Sequence, residues 1–378
     1  MIRGEFPLLE RCAYLNVGAA GLCPLSVAEK VEAGVRAFEL GGETEWTSSL
    51  EQLEKGRARL AAFLGVSADE VAFTRNATEG INAAAHGLDW SGGGEILISD
   101  EEHAALLFPW AFLAQRSAGK NAVSVRRFRF GNSPEETLDA LEAAFSPKTR
   151  LMAVSHVSCV TGKRAPAAEM ARLCRERGVL SLIDGAQAAG QMPIQEAAEE
   201  ADLYAGNGHK WLLGPKGTGY LRIRPALLDA LTPTQVGMGS GSYDEATGKL
   251  ALDRSARRFE CGTRGCGRYA GFEPLFEWWD QVGFENAWRH MRALTDMLKE
   301  ALKKAPNVRL HTPDAWEHSC AMTSFSVEGV SGGRLAAELY ERRRIRVRHV
   351  EEIDGVRVSA ALFNNEEEIN RLIDVVRK

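Results

Sequence analysis

Seven short apolar runs, at residues 71–74, 95–99, 122–128, 151–155, 179–184, 203–205 and 219–222, recur with helix-length segments between them. Runs of this length, rich in Val, Ile and Leu, suit strands buried on both faces, and strands that alternate with helices build a mostly parallel sheet. The segment before the 179–184 run shows the pattern: Met170, Leu173 and Cys174 share one helical face and Gly178 stands as the stop. The expected class is therefore α/β, a doubly wound, mostly parallel seven-stranded sheet. After Phe259 the pattern changes to a long helical stretch, 271–304, interrupted at Gly283, followed by strands at 322–327 and 356–360, as in a smaller α+β domain. The expected division is an arm at 1–16, a large domain at 17–255 and a small C-terminal domain at 256–378.

Composition narrows the function classes. The 378 residues hold 46 basic and 51 acidic side chains, a net charge of -5 that exerts no general pull on nucleic acid or anionic lipid. The basic run at 342–348 reads as the polar face of a strand with Ile345 and Val347 turned inward. The chain opens without a signal-peptide core and contains no run of 18 apolar residues, so a cytoplasmic location is expected. Seven scattered cysteines without a Cys-x-x-Cys pair suggest neither a disulfide framework nor a metal site.

Several polar residues fall at the ends of these runs. Asn207-Gly208-His209-Lys210 opens a glycine-rich loop that ends at Gly219. A buried Lys210 would lose part of its ammonium character and become a nucleophile toward an aldehyde, although the same loop suits a surface turn at Gly214-Pro215. Asp184 ends the 179–184 run, at the strand edge where open α/β sheets hold ligands, or there simply begins a turn. Asn76 to Gly80 is small and polar and precedes Ile81, Ala84 and Ala85 at helical spacing. A helix starting there offers free N–H groups to a phosphate, with Thr78 adding a hydroxyl or serving only as a cap. His103 lies beyond the 95–99 run and could stack on a flat ring or remain a solvated loop residue. Arg357, in the alternating run 355–360, has the planar fork that grips a carboxylate, or is a solvated edge-strand charge.

In order along the chain, 74–82, Glu102-His103, Ser155-His156-Val157-Ser158, Asp184-Gly185-Ala186-Gln187, Gly208-His209-Lys210, Phe259-Glu260-Cys261-Gly262-Thr263 and Val356-Arg357-Val358-Ser359 form a set. This set resembles the class V aminotransferase family of pyridoxal-phosphate enzymes, which includes cysteine desulfurases and isopenicillin N epimerase. The resemblance covers nearly the whole chain and implies the fold type I architecture with pyridoxal 5'-phosphate as cofactor. It implies a Schiff base on Lys210, Asp184 at the pyridine nitrogen, His103 stacked on the ring, and Gln187 at the ring hydroxyl. Ala77, Thr78, Asn207 and His209 would hold the phosphate. Thr263 would reach the phosphate of a second subunit in a homodimer with shared sites, and Arg357 would bind the carboxylate of an amino-acid substrate.

Two positions depart from the family pattern. Asn207 stands where many relatives have serine, and Cys159 where desulfurases commonly have an asparagine beside the ring hydroxyl. The expected chemistry is Cα deprotonation of an amino acid, of aminotransferase or epimerase type. A cysteine desulfurase or related β-lyase is the alternative, ranked lower because 348–357 contains no cysteine and Cys320 precedes a probable core strand. A non-catalytic regulator that binds the cofactor is a further alternative.

Overall fold

The computed structural model describes residues 2–117 and 119–377. At its centre is a seven-stranded sheet in the order Val71–Thr74, Gly219–Ile223, Leu203–Asn207, Leu180–Asp184, Thr149–Ser155, Gly94–Ser99, Val123–Phe128. Gly219–Ile223 runs antiparallel to both its neighbours, and the other pairs are parallel. The expected doubly wound, mostly parallel seven-stranded sheet is the one present.

Alternation along the strands sends successive side chains to opposite faces and makes two cores. Leu97, Met152, Val154 and Ile183 face one side, where Met170 and Cys174 of the helix Ala167–Glu176 and Leu60 and Leu64 of the helix Trp46–Leu64 pack. Ile96, Ile98, Leu151, Ala153 and Leu182 face the other, under Ile81 and Ala84 of the helix Ala77–Gly87 and Leu106 and Trp110 of the helix Ala104–Arg116.

A second sheet is antiparallel, in the order Val308–Leu310, Met322–Val327, Gly355–Ser359, Arg348–Val350. Its core joins Phe325, Val356 and Val358 to Leu294 and Leu298 of the helix Phe284–Lys303 and to Ile369 and Leu372 of the helix Glu366–Val376. The long helical stretch is split at Gly283, whose φ of 78° ends the helix Phe272–Val282. Residues beyond 256 divide between the cores: Phe272, Leu275, Phe276 and Trp279 belong with Phe73 and Tyr220 under the large sheet.

The N-terminal arm crosses to the second sheet. Ala13–Tyr14 pairs in parallel with Ile345–Arg346, Asn16 bridges Ser359, and the Ser359 N–H donates to the Leu15 carbonyl at 2.9 Å. Ile345 and Val347 are buried, as the alternation in the basic run implies. The segment that leads to Glu260 is a 3-10 turn, Ala256–Phe259, and not a strand. Its arginine explains the difference: Arg258 is buried, with Nε donating to the Asp253 carbonyl at 2.6 Å and Nη1 to the Leu228 carbonyl at 3.0 Å. That local bonding replaces a strand ladder.

Candidate active site

The carboxyl ends of the parallel strands gather the polar residues along one edge. Ser155 is in register with Asp184, and Asp184 with Ala205, two residues before Asn207. Asn207 pairs with Gly219 and Gly219 with Thr74, so the start of the helix Ala77–Gly87 lies beside Asn207. Asn207 Oδ1 accepts from the Ala77 N–H at 2.9 Å, and Asn76 caps the helix by accepting from the Glu79 N–H at 3.0 Å. Ala77 therefore spends its N–H inside the protein. At this helix end the Thr78 N–H and hydroxyl and the Asn207 amide N–H groups are the donors left for a ligand.

A cavity of about 230 Å³ opens here, lined by Ala77, Thr78, His103, Asp184, Gln187, Asn207, His209 and Lys210. A second, of about 550 Å³, adjoins it, shares His103, Cys159, Gln187 and Lys210, and extends to Arg348 and Arg357. The expected site residues thus line one continuous cleft, with Thr263 outside it on the exposed loop that follows Glu260.

The Lys210 loop is interior, not a surface turn: Trp211, Leu212 and Leu213 are each at most 2% exposed. The Trp211 indole donates to Gln187 Oε1 at 2.9 Å, the Trp279 indole to the Leu212 carbonyl at 2.8 Å, and the Gly214 N–H to the Gly208 carbonyl at 2.7 Å. Leu213 holds a φ of 63°, a strained conformation that these contacts enforce. The segment that follows the arm closes over the loop at Gly21, whose N–H donates to the His209 carbonyl at 2.8 Å and whose carbonyl accepts from Lys216 Nζ at 2.5 Å.

Electrostatics follow from burial. Burial pushes the Lys210 ammonium pKa down, opposed by the charge of Asp184. Burial pushes Asp184 up, opposed by Lys210 and by the Ala186 N–H, which donates to Asp184 Oδ1 at 2.9 Å. His103 caps the helix Ala104–Arg116 by accepting the Ala105 N–H on Nδ1 at 3.0 Å, which places its proton on Nε2 when neutral. Partial burial, and then Lys210, lower its pKa. His209 Nδ1 lies 3.1 Å from the Thr218 carbonyl and donates to it, leaving Nε2 to the cavity. Gln187 has both ends engaged, Oε1 by Trp211 and Nε2 donating to the Gly18 carbonyl at 2.8 Å, so one N–H remains for a ligand.

Arg357 is buried, with Nη1 donating to the Cys159 carbonyl at 2.5 Å and Nε unpartnered. Cys159 borders both cavities, and burial raises its thiol pKa, with Arg357 and Lys210 opposing. Cys320 is fully buried, its thiol 3.5 Å from the Gly162 carbonyl, the core position expected of it.

Sequence reasoning assigned no role to two acids beneath the site. Glu102 accepts from Ser99 Oγ at 2.5 Å, Ser155 Oγ at 2.6 Å and the Ser155 N–H at 3.0 Å, and burial still pushes it up to about 7. Glu260 accepts from Arg57 Nη1 and from the Phe73 N–H, each at 2.6 Å, and so pins the strand that leads to the helix start. Apart from Ser99, these partners are remote in sequence, and only the family marks that contain the two acids pointed to them.

The family model for aminotransferase class V matches residues 17–372. The isopenicillin N epimerase of Streptomyces clavuligerus is 34% identical, with 99% of this chain and 96% of the relative aligned. A cysteine desulfurase of Escherichia coli (strain K12 / DH10B) is 30% identical over 98% of this chain and 96% of its own. Among solved structures, the cystine C–S lyase C-DES, in complex with its product cysteine persulfide, superposes with a TM-score of 0.91 at 29% identity, covering 99% of both chains. This chain belongs to the class V aminotransferase family, whose cofactor is pyridoxal phosphate.

The residues present fit that cofactor. A partly buried amine and a buried carboxylate face one cavity without an ion pair between them among the described residues. A helix start with free donors lies at its end, and a buried guanidinium with a spare N–H lies at its mouth.

Proposed function

We propose that this chain removes the Cα proton of an amino acid, as an aminotransferase or an epimerase, with Lys210 as the base. The supporting observation is the convergence of Lys210, Asp184 and Arg357 on one cleft. Binding alone would not call for an amine, an acid and a carboxylate clamp together.

Bound pyridoxal phosphate supplies an aldehyde that condenses with amines and a ring that accepts the electron pair left at Cα. Thr78, Asn207 and His209 hold its phosphate, and Ala77 sets the helix start through Asn207. Gln187 offers its remaining N–H to the ring hydroxyl, and His103 covers the ring face. Asp184 would pair with the protonated pyridine nitrogen through the oxygen not used by Ala186. Arg357 orients the substrate carboxylate with N–H groups that no protein acceptor occupies. Lys210 Nζ, pushed toward neutrality by burial, takes the proton from Cα; an epimerase would deliver a proton to the opposite face of Cα, and an aminotransferase to a different carbon.

A homodimer completes this reading, with Thr263 reaching the phosphate of the second subunit. In support, the Thr263 loop is exposed and is joined to Met238, 64% exposed, through the Gly262 N–H to the Met238 carbonyl at 2.8 Å. The assigned setting is the cytoplasm, and no helix among the described residues is long and apolar enough to cross a membrane.

The position of the thiols favours this chemistry over desulfuration. Cys159, the cysteine that borders the cleft among the described residues, lies in the turn that follows the strand Thr149–Ser155 and not on a loop before Arg357. The holoenzyme, incubated with amino acids in deuterium oxide with and without 2-oxo acids, should exchange Cα–H and release little sulfur from L-cysteine. Keto-acid transfer identifies an aminotransferase, and racemised label an epimerase. Rapid alanine and sulfur from L-cysteine would place the desulfurase first, and spectral silence toward every amino acid would leave a non-catalytic cofactor-binding protein.

A further inference from the structure

The larger of the two cavities carries a second cation that the proposed chemistry does not use. Arg348 stands directly opposite Arg357 in the antiparallel pairing of Arg348–Val350 with Gly355–Ser359, and both residues line the 550 Å³ cavity. Directly opposed residues share a face of the sheet, with Cα atoms about 5 Å apart, and like charges so placed destabilise the pair. At Arg357 the charge of Glu352 offsets part of that repulsion. Among the described residues no carboxylate forms an ion pair with Arg348, although Glu351 and Glu352 border the same cavity.

The nearby Arg346 is turned aside, its guanidinium 3.9 Å from the centre of the Tyr340 ring. Arg348 instead faces the cavity, and the cavity is more than twice the size of the one that holds Lys210 and Asp184.

We infer that Arg348 forms a second anion subsite and that the substrate is an amino acid whose side chain ends in an acidic group. The inference rests on Arg357 as the anchor of the α-carboxylate. With that end fixed, a side chain of a few methylene groups extends along the shared face and presents its carboxylate to Arg348. The exposed Glu351 and Glu352 at the rim leave Arg348 unpaired and so available. Arg348 is thus a specificity residue, selecting the side chain without touching the reacting bonds.

The test compares matched acid and amide pairs on the holoenzyme: L-glutamate against L-glutamine, and L-2-aminoadipate against its δ-amide. The readout is the ratio of kcat/KM, acid over amide, for Cα–H exchange, together with the dissociation constant from the cofactor absorbance change. The acids should be preferred at least tenfold. R348Q should reduce that ratio about tenfold, R348K should restore part of it, and R348E should move the preference to side chains ending in an amine. A wild-type ratio near one, or a ratio that R348Q leaves unchanged, overturns the subsite while exchange itself upholds the proposed function. If no amino acid exchanges or changes the absorbance, the proposed function fails, and the subsite with it.

Discussion

Gly21→Ala should disable the site although residue 21 carries no chemistry. A Cβ there would lie 2.1 Å from the Lys210 carbonyl oxygen and 3.1 Å from that of His209. Ordinary contact requires roughly 3.5 Å, so the Gly21 segment and the lysine loop must part by on the order of 1 Å. The obstruction is backbone, and the loop behind it is held by the Trp211, Trp279 and Gly214 hydrogen bonds. Strain of this kind costs about 1–3 kcal/mol. Displacing a reacting group by ~1 Å costs on the order of 100-fold in rate. Scanning calorimetry should show a melting temperature lower by a few degrees, and stopped-flow mixing with substrate should show Cα–H cleavage slowed about 100-fold. Gly18→Ala is the internal comparison. Its Cβ would meet side-chain ends, Ser359 Oγ at 2.9 Å and Arg357 Nη2 and Gln187 Oε1 at 3.1 Å, so it should raise KM more than it lowers kcat or stability. Wild-type melting and wild-type cleavage in Gly21→Ala would refute the claim that the Gly21 segment fixes the lysine.

Three further outcomes are expected. Lys210→Ala should abolish cofactor attachment by borohydride while retaining phosphate-dependent binding; label found on Lys163 or Lys216 in the wild type would assign the Schiff base elsewhere. Asp184→Asn should leave the cofactor bound but slow Cα–H exchange by about 10²-fold or more, because a neutral pyridine is a poor electron sink, and undiminished exchange would contradict the role. Glu102 has a folded pKa of about 7 against 4.5 unfolded, so its contribution to stability is full below 4.5 and is lost as pH rises through 7. Melting curves should therefore show Glu102→Gln gaining on the wild type between pH 5 and pH 8, and parallel curves would remove Glu102 as the source.

The sheet was legible because strands buried on both faces must be apolar throughout, and the split at Gly283 because a positive φ favours glycine. The site residues were legible as polar positions at strand ends and through the family marks. What escaped depends on contacts remote in sequence. Gln187 bonds Gly18 across 169 positions, and Arg57 bonds Glu260 across 203. Buried arginines such as Arg57 and Arg258 also defeat hydropathy patterns, because their donors are satisfied inside the fold. The Arg348–Arg357 opposition needed the register of two short strands, which periodicity alone does not fix.

The arm also sets an order of assembly. Residues 13–16 leave the ribosome early, yet their docking partners are Ile345, Arg346 and Ser359, near the other end of the chain. At cellular rates of synthesis the arm waits on the order of tens of seconds for them. Meanwhile the strands of the large sheet, all complete by residue 223, are free to form with the mouth of the cleft uncovered. The loop that carries Gly18 and Gly21 meets its partners Gln187, His209 and Lys216 first, and residues 13–16 dock last, when the strands that carry Arg348 and Arg357 complete the mouth of the cleft.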